Sequence, residues 1–287
     1  MLLSGVGNMR QIIFGIAILF IFFISGVVAD ESNSSLVTVE NPSETQWTIS
    51  PEASLALAQV YAIDLVMVND VYAVIYGYES EQNKKRFKEI AEDPNGTIDI
   101  LLTTLESSTN NNETASADVK DMYAAWDTLN ASAYQVISSY EGNNSVPVPA
   151  DVSAFDEAAL NFTRVNDRLI SRYIDKNVID KDVFTQLLYL DLLSGINAQD
   201  VYPATVNLAD KELYDQKMES FDINAELFAS RFPDSSVENL IAMKQNFDEN
   251  VQAAVFTTTD NSNPEDLTAL NQAITDIIVG YYQVSSA

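Results

Sequence analysis

The sequence predicts an all-α protein: two tandem antiparallel, up-down-up-down four-helix bundles that follow an N-terminal hydrophobic segment. First, the stretch from Pro51 to Tyr76 is apolar on nearly every side, with Asp64 and Asp70 as its only charged residues after Glu52. Such a helix must be surrounded by other helices or by lipid, and two acids in mid-run favour helices. Second, the later segments space their apolar residues three and four apart, and strand patterns are absent. Third, a related stretch returns about 130 residues later.

Composition limits the function. The 287 residues include 15 Lys and Arg against 42 Asp and Glu, a formal charge of -27. This surface repels nucleic acid and anionic membranes, and it suits a cation-rich milieu or a basic partner. Cys and His are both absent, which excludes disulfides, most zinc sites and Ser-His-Asp triads. We expect no cofactor, no metal site and no enzymatic activity. The remaining enzyme class, a carboxylate-dependent hydrolase, would need a paired acid motif and a Gly-rich loop, and the sequence has neither.

The N-terminus predicts export. Arg10 precedes an uncharged, apolar run from Gln11 to Ala29, which ends in small residues before Asp30. Residues 1–29 are therefore a signal peptide or a single membrane anchor; the short apolar centre favours the signal peptide. Residues 30–49 are polar and aperiodic, as in a flexible linker. Either alternative places the remaining chain outside the cytoplasm, secreted or anchored.

Acceptor sequences for N-glycosylation are compatible with an exported glycoprotein. Several Asn-x-Ser/Thr sequences occur by chance in a chain rich in these residues. Those in predicted loops are the best candidates: Asn95, Asn112 and Asn143.

The first bundle is predicted to span residues 50–176. Its first helix has a clear start, because Ser50 can cap it and Pro51 suits the first helical position. Gly77 can end it in the left-handed conformation. A second, polar helix begins near Ser80, breaks at 94–96 and resumes. The third helix, 118–140, and the fourth, 151–174, carry apolar seams typical of left-handed bundles.

The second bundle is predicted to span residues 177–287 and to repeat the first. Asp70-Val71-Tyr72 returns as Asp200-Val201-Tyr202, and Asn207 and Asp210 take the physical roles of Gly77 and Ser80. The expected helices are 182–206, 210–232, 236–257 and 264–283. Segment 174–182 contains no Gly or Pro. We therefore expect that the last helix of the first bundle can continue into the first helix of the second bundle as one long helix.

The run from Asn69 to Asp93, followed by a polar helix and then by Asp121 to Glu141, resembles the extracellular four-helix-bundle sensor domains of methyl-accepting chemotaxis proteins and histidine kinases. Tyr72 to Gly77, Phe87 and Trp126 carry the resemblance. The resemblance covers both predicted bundles. It implies a ligand-sensing or scaffold bundle at the cell surface, whose signal would need a separate membrane partner.

Two interpretations of the buried acids remain open. Arg164, Arg168 and Arg172 form a basic row on one predicted helix. Because a buried carboxylate is costly alone, Asp64 or Asp70 either pairs with this row or reaches an edge of the bundle. Alternatively, an Asp and nearby aromatic side chains hold a small cation such as a quaternary amine. The candidate ligand-binding residues are Asp64, Asp70, Tyr72, Trp126 and Arg168.

These patterns predict an exported, acidic, helical-bundle protein of the cell envelope that acts as a binding or scaffold module. The alternative is a sensor-like extracellular domain that binds a small molecule or cation and signals through a separate membrane protein. A homo-oligomer is compatible with both. Calcium could bridge surface acids, but no Asp-x-Asp-x-Asp-Gly loop occurs, so we expect only diffuse association.

Overall fold

A computed structural model describes residues 50–75, 80–93, 96–109, 113–143, 146–175, 179–205, 208–233, 237–256 and 264–285. The side chains of 80, 174, 175, 198–205, 208–210, 213 and 264 are not described. The predicted N-terminal segment, the linker, Gly77 and Asn207 lie outside these residues. So do the side chains of Asp200 and Tyr202, on which the proposed repeat partly depends.

All the secondary structure in the described part of the chain is α-helical, which confirms the predicted all-α class. The up-down-up-down arrangement of two tandem bundles stays a prediction. The helices lie within three residues of the expected starts and stops, except that α4 begins five residues before the predicted start at 118. They are α1 (Pro51–Ile75), α2 (Ser80–Glu92), α3 (Thr97–Thr109), α4 (Glu113–Gly142), α5 (Pro149–Asp175), α6 (Lys181–Thr205), α7 (Leu208–Arg231), α8 (Glu238–Ala254) and α9 (Pro264–Ser285).

Local chemistry explains the helix boundaries. The Ser50 hydroxyl accepts a hydrogen bond from the Ala53 amide at 3.2 Å, so it caps α1 as predicted. The expected break between α2 and α3 occurs at Asp93, whose φ is +38°. Its carboxylate accepts hydrogen bonds from the amides of Thr97 and Ile98. Asp93 thus ends one helix and caps the next.

The expectation of one continuous rod between the halves is wrong. Ile179 and Asp180 are not helical, and α6 starts afresh at Lys181. The Asp180 side chain accepts a hydrogen bond from the Val183 amide at 2.8 Å. An aspartate that caps a new helix therefore replaces the Gly or Pro that was expected to mark such a break.

Helix α1 lies inside the protein. Within the described part of the chain it is long and apolar enough to cross a membrane, but 78% of its most apolar window is buried against other helices. It packs against α2, α3, α4, α5 and α6. This confirms the interpretation of the run after Pro51 as a central helix, since burial among helices accounts for an apolar surface on all sides.

Two groups of helices meet at the contact between α1 and α6. We call α1–α5 the first half and α6–α9 the second half. Helix α4 packs along α5, while α6 packs against α7, α8 and α9. The buried apolar side chains of both halves belong to one continuous core. The hydrogen bonds from Tyr61 to Asp191 and from Asn197 to the Leu65 carbonyl show that α1 and α6 run parallel.

Candidate functional site

The contact between the halves encloses two aspartates. Asp64 on α1 is 1% exposed and Asp191 on α6 is 5% exposed. Both helices are apolar on nearly all sides, so these carboxylates have no route to solvent along their own helices. Carboxylates are rarely buried without a partner. The groups that contact them therefore define the site.

The hydrogen bonds that these carboxylates accept come from uncharged donors. The Thr163 hydroxyl on α5 donates to Asp64 Oδ2 at 3.1 Å. Asp191 accepts from the Tyr61 hydroxyl at 3.3 Å and from the Asn224 amide on α7 at 2.8 Å. Hydrogen bonds from neutral donors stabilise a carboxylate less than bonds from a cation do. Neither aspartate has a direct ion pair in the described part of the chain.

One ion pair lies beside these aspartates. Lys217 on α7 is 3.8 Å from Asp167 on α5, which links the halves a second time. Both groups act electrostatically on Asp64 and Asp191. We call this set the polar junction; its members are Tyr61, Asp64, Thr163, Asp167, Asp191, Lys217 and Asn224.

Burial controls the protonation of the polar junction. It raises the pKa of Asp64 from 3.8 to about 7, although Lys217 and Thr163 oppose the change. Burial likewise raises the pKa of Asp191 to about 7 against the opposing hydrogen bond from Asn224. Asp167 raises both values further, and its own pKa is also raised by burial. The junction therefore holds carboxylates that bind protons near neutral pH.

Some buried amide and carboxylate atoms near the junction lack hydrogen-bond partners in the part of the chain that the structure describes. Asp64 Oδ1 and both amide atoms of Asn166 have no hydrogen-bond partner among the described residues. Asn166 is fully buried on α5, one turn after Thr163 and next to Asp167. Most buried polar groups in proteins are paired. The two oxygens are able to accept hydrogen bonds from a small polar ligand, and the Asn166 amide nitrogen is able to donate to it.

The candidate Asp70 lies in a different contact. Arg86 on α2 binds its carboxylate with two nitrogens, and both side chains are buried. Burial raises the pKa of Asp70 to about 6, and the guanidinium holds it below the values of Asp64 and Asp191. The expectation that the arginine row of α5 would pair with Asp64 or Asp70 is wrong.

Two arginines of that row, Arg168 and Arg172, face α4 instead. Arg168 donates to Asp118 and Asp121 at 3.0 and 2.7 Å, and Arg172 donates to Asp118 at 2.7 Å. The periodicity of α5 identified the row correctly, but it could not identify the neighbouring helix that the row would face. Arg168 is therefore part of a partly exposed ion-pair network between α4 and α5.

The aromatic candidates take part in packing. The Tyr72 hydroxyl donates to Asp156, and its ring lies 5.6 Å from that of Phe155. Trp126 is 8% exposed and packs edge-on against Phe162 at 5.7 Å. The described contacts thus place Asp64, Asp70, Tyr72, Trp126 and Arg168 in five separate environments.

The structure also bears on metal binding and on the glycosylation candidates. Within the described residues, no three His, Cys, Asp or Glu side chains converge to hold a metal ion. Asn143 is exposed just after α4, so its side chain is accessible. Asn95 and Asn112 lie outside the described residues.

The sequence pointed to Asp64 but not to the groups that surround it at the polar junction. Asn224 lies among the apolar residues of α7, between Phe221 and Ala225, which both are buried; that position was the available signal. The positions of Lys217 and Thr163 gave no such signal, because a lysine and a threonine are common on partly exposed helix faces. Comparison with protein-family models, curated proteins and solved structures finds no significant match for this chain.

Proposed function

We propose that this chain is an exported, acidic cell-envelope module of two tandem four-helix bundles that acts by binding or scaffolding. The observation that carries this proposal is the distribution of charge. Most described basic side chains already pair with acids of the same chain, so the excess negative charge faces outward. The residues in such pairs are Lys84, Lys85, Arg86, Arg168, Arg172, Lys211, Lys217 and Lys244.

A surface of this kind favours contact with cationic partners. Its field attracts positively charged segments and repels other acidic molecules. Exposed pairs contribute little to stability, so a basic partner can compete for their acids. We expect the contact to weaken as salt increases, because exposed charges are screened beyond about 8 Å at physiological ionic strength.

Export is the first part of the proposal to test. Two arginines in the apolar run (Ile18→Arg with Phe22→Arg) should retain the full chain in the cytoplasm, because charge in the apolar segment blocks insertion. The matched control puts two arginines in the linker (Leu36→Arg with Val39→Arg) and should be exported. Cell fractionation with protease protection measures both. Cytoplasmic localisation of the unaltered chain would contradict export.

Retention tests the binding or scaffold role. We expect the exported chain to remain with the envelope fraction and to be released into the soluble fraction by about 1 M salt, where the Debye length is about 3 Å. Recovery of the protein free in the medium at low salt would contradict an envelope scaffold. Retention that survives high salt in a chain cleaved after residue 29 would contradict an electrostatic contact.

A sensor-like role is the second candidate, and the polar junction favours it. Asp64 Oδ1 at the junction, and the side-chain amide of Asn166 next to Asp167, have no hydrogen-bond partner among the described residues. A small cation bound there would change the contact between α1 and α6, and a separate membrane protein would receive the change. The resemblance to bacterial sensor domains supports this candidate.

Asp64 provides the test of cation binding. Titration of the full chain with small amine cations should raise its thermal midpoint through ligand linkage, and Asp64→Asn should abolish the shift while the helical circular dichroism signal is unchanged. Asp127→Asn removes one charge from an exposed face and should keep the shift. Equal shifts of the thermal midpoint in the unaltered chain, Asp64→Asn and Asp127→Asn would contradict cation binding at Asp64.

A further inference from the structure

The polar junction has an excess of acid that its own groups cannot neutralise. Asp64 and Asp191 face uncharged donors from α1, α5 and α7. The charged or titratable groups that act on them from the packed helices are Tyr61, Asp167 and Lys217. Lys217 lies against Asp167. If both buried aspartates ionise, three carboxylates share one ammonium group.

An uncompensated charge in a protein interior is costly. A buried carboxylate avoids this cost by remaining protonated, unless the surrounding structure opens to water. Here the surrounding structure is the contact between the two halves, since Asp64 belongs to α1 and Asp191 to α6. Opening that contact would hydrate both carboxylates together.

We propose that the polar junction is a proton-operated connection between the two halves, which pack closely while Asp64 and Asp191 hold protons and loosen when these residues ionise. This inference does not depend on the proposed function. It assigns a role to two buried carboxylates that neither the envelope role nor the cation-binding role uses as a pair.

The sign of the pH dependence follows from the raised pKa values. An aspartate with a folded-state pKa of about 7 and an ordinary value of 3.8 binds more protons when folded. Folding stability then falls as pH rises from about 4 to about 7 and levels off above. Burial of paired carboxylates gives the opposite trend in most proteins, which lose stability in acid.

Thermal unfolding of the full chain at constant ionic strength tests the sign. We expect the midpoint to be lower by roughly 5–10 °C at pH 8 than at pH 5. The double variant Asp64→Asn with Asp191→Asn should remove most of this difference by raising the midpoint at pH 8. Amides keep the shape of the protonated acids, so the variant should fold.

A matched control separates the junction from general charge repulsion. Asp127→Asn with Glu249→Gln also removes two negative charges, but from exposed positions. It should keep the pH dependence of the unaltered chain. If this control flattens the profile as much as the junction variant does, relief of net charge is responsible and the proposal fails.

Spin labels measure the opening itself. The chain contains no Cys, so Gln135→Cys and Gln245→Cys add unique labelling sites at exposed positions of the first and second halves. We expect one narrow distance distribution at pH 5 and a broader or longer one at pH 8.5. With Asp64→Asn and Asp191→Asn added, the distribution should stay narrow at both pH values. A distribution independent of pH in the unaltered junction would overturn the proposal.

Discussion

Individual buried charges in this protein have very different partners. Asp70 has a buried guanidinium, whereas Asp64 accepts one hydrogen bond among the described residues, from a hydroxyl to Oδ2. Removing one partner of a buried pair leaves an uncompensated charge, while removing an exposed partner leaves a group that water can solvate. The two arginine environments therefore predict different costs of mutation.

Arg86→Met should destabilise the protein by about 3–5 kcal/mol, because Asp70 would remain buried without its cation. Arg168→Met should cost less than about 1 kcal/mol, since its side chain is half exposed and Arg172 remains on Asp118. Urea unfolding followed by circular dichroism measures both. Equal costs would contradict the assignment of Arg86 as the partner of Asp70.

Asn166 is fully buried, and neither amide atom has a partner among the described residues. Asn166→Leu should therefore leave the free energy of unfolding unchanged or raise it by about 1–2 kcal/mol. Asn130→Ala is the contrast, because that amide donates to the Ala91 carbonyl at 3.0 Å, and its loss should cost about 1 kcal/mol. A clear loss of stability in Asn166→Leu would show that this amide is paired in solution.

At the scale of elements, helix packing depends on close approaches. Gly280 on α9 lies against the buried Tyr189 ring of α6, and a Cβ there would come within 2.5 Å of the phenol oxygen. Gly142 at the end of α4 faces open space. The same substitution at these glycines should have opposite effects.

Gly280→Ala should destabilise the protein by about 1–3 kcal/mol, because the ring or the helix must move. Gly142→Ala should be neutral or stabilising by up to about 1 kcal/mol, through helix propensity alone. Thermal or urea unfolding of the two variants provides the comparison. A neutral Gly280→Ala would mean that α6 and α9 are less closely packed.

The sequence predicted the helices far better than their neighbours. Ser50, Asp93 and the apolar seams act locally, through caps and periodicity, so they fix where helices begin and which face is buried. The partner of a face depends on which helices meet in space. That is why the row containing Arg168 was recognised but its acids were not, and why Arg86 was missed as the cation for Asp70.

Over the whole molecule, the acids at the surface and the acids in the interior differ in their charge state. The formal charge of -27 is spread over the chain, and the exposed acids keep it soluble and repel other acidic surfaces. Inside, a shared apolar core joins the halves around carboxylates that bind protons near neutral pH. The lateral packing of α1 on α6 creates this interior site, and no local pattern in either helix specifies it.

The central claim is that the two halves close around protonated aspartates. Measurement of the side-chain carboxyl ¹³C shifts of Asp64 and Asp191 in the full chain between pH 4 and pH 9 tests it most directly, with the single Asn variants assigning each signal. Both carboxyls are expected to titrate with pKa values of about 7. Titration of both near 3.8, as for solvated aspartates, would contradict it.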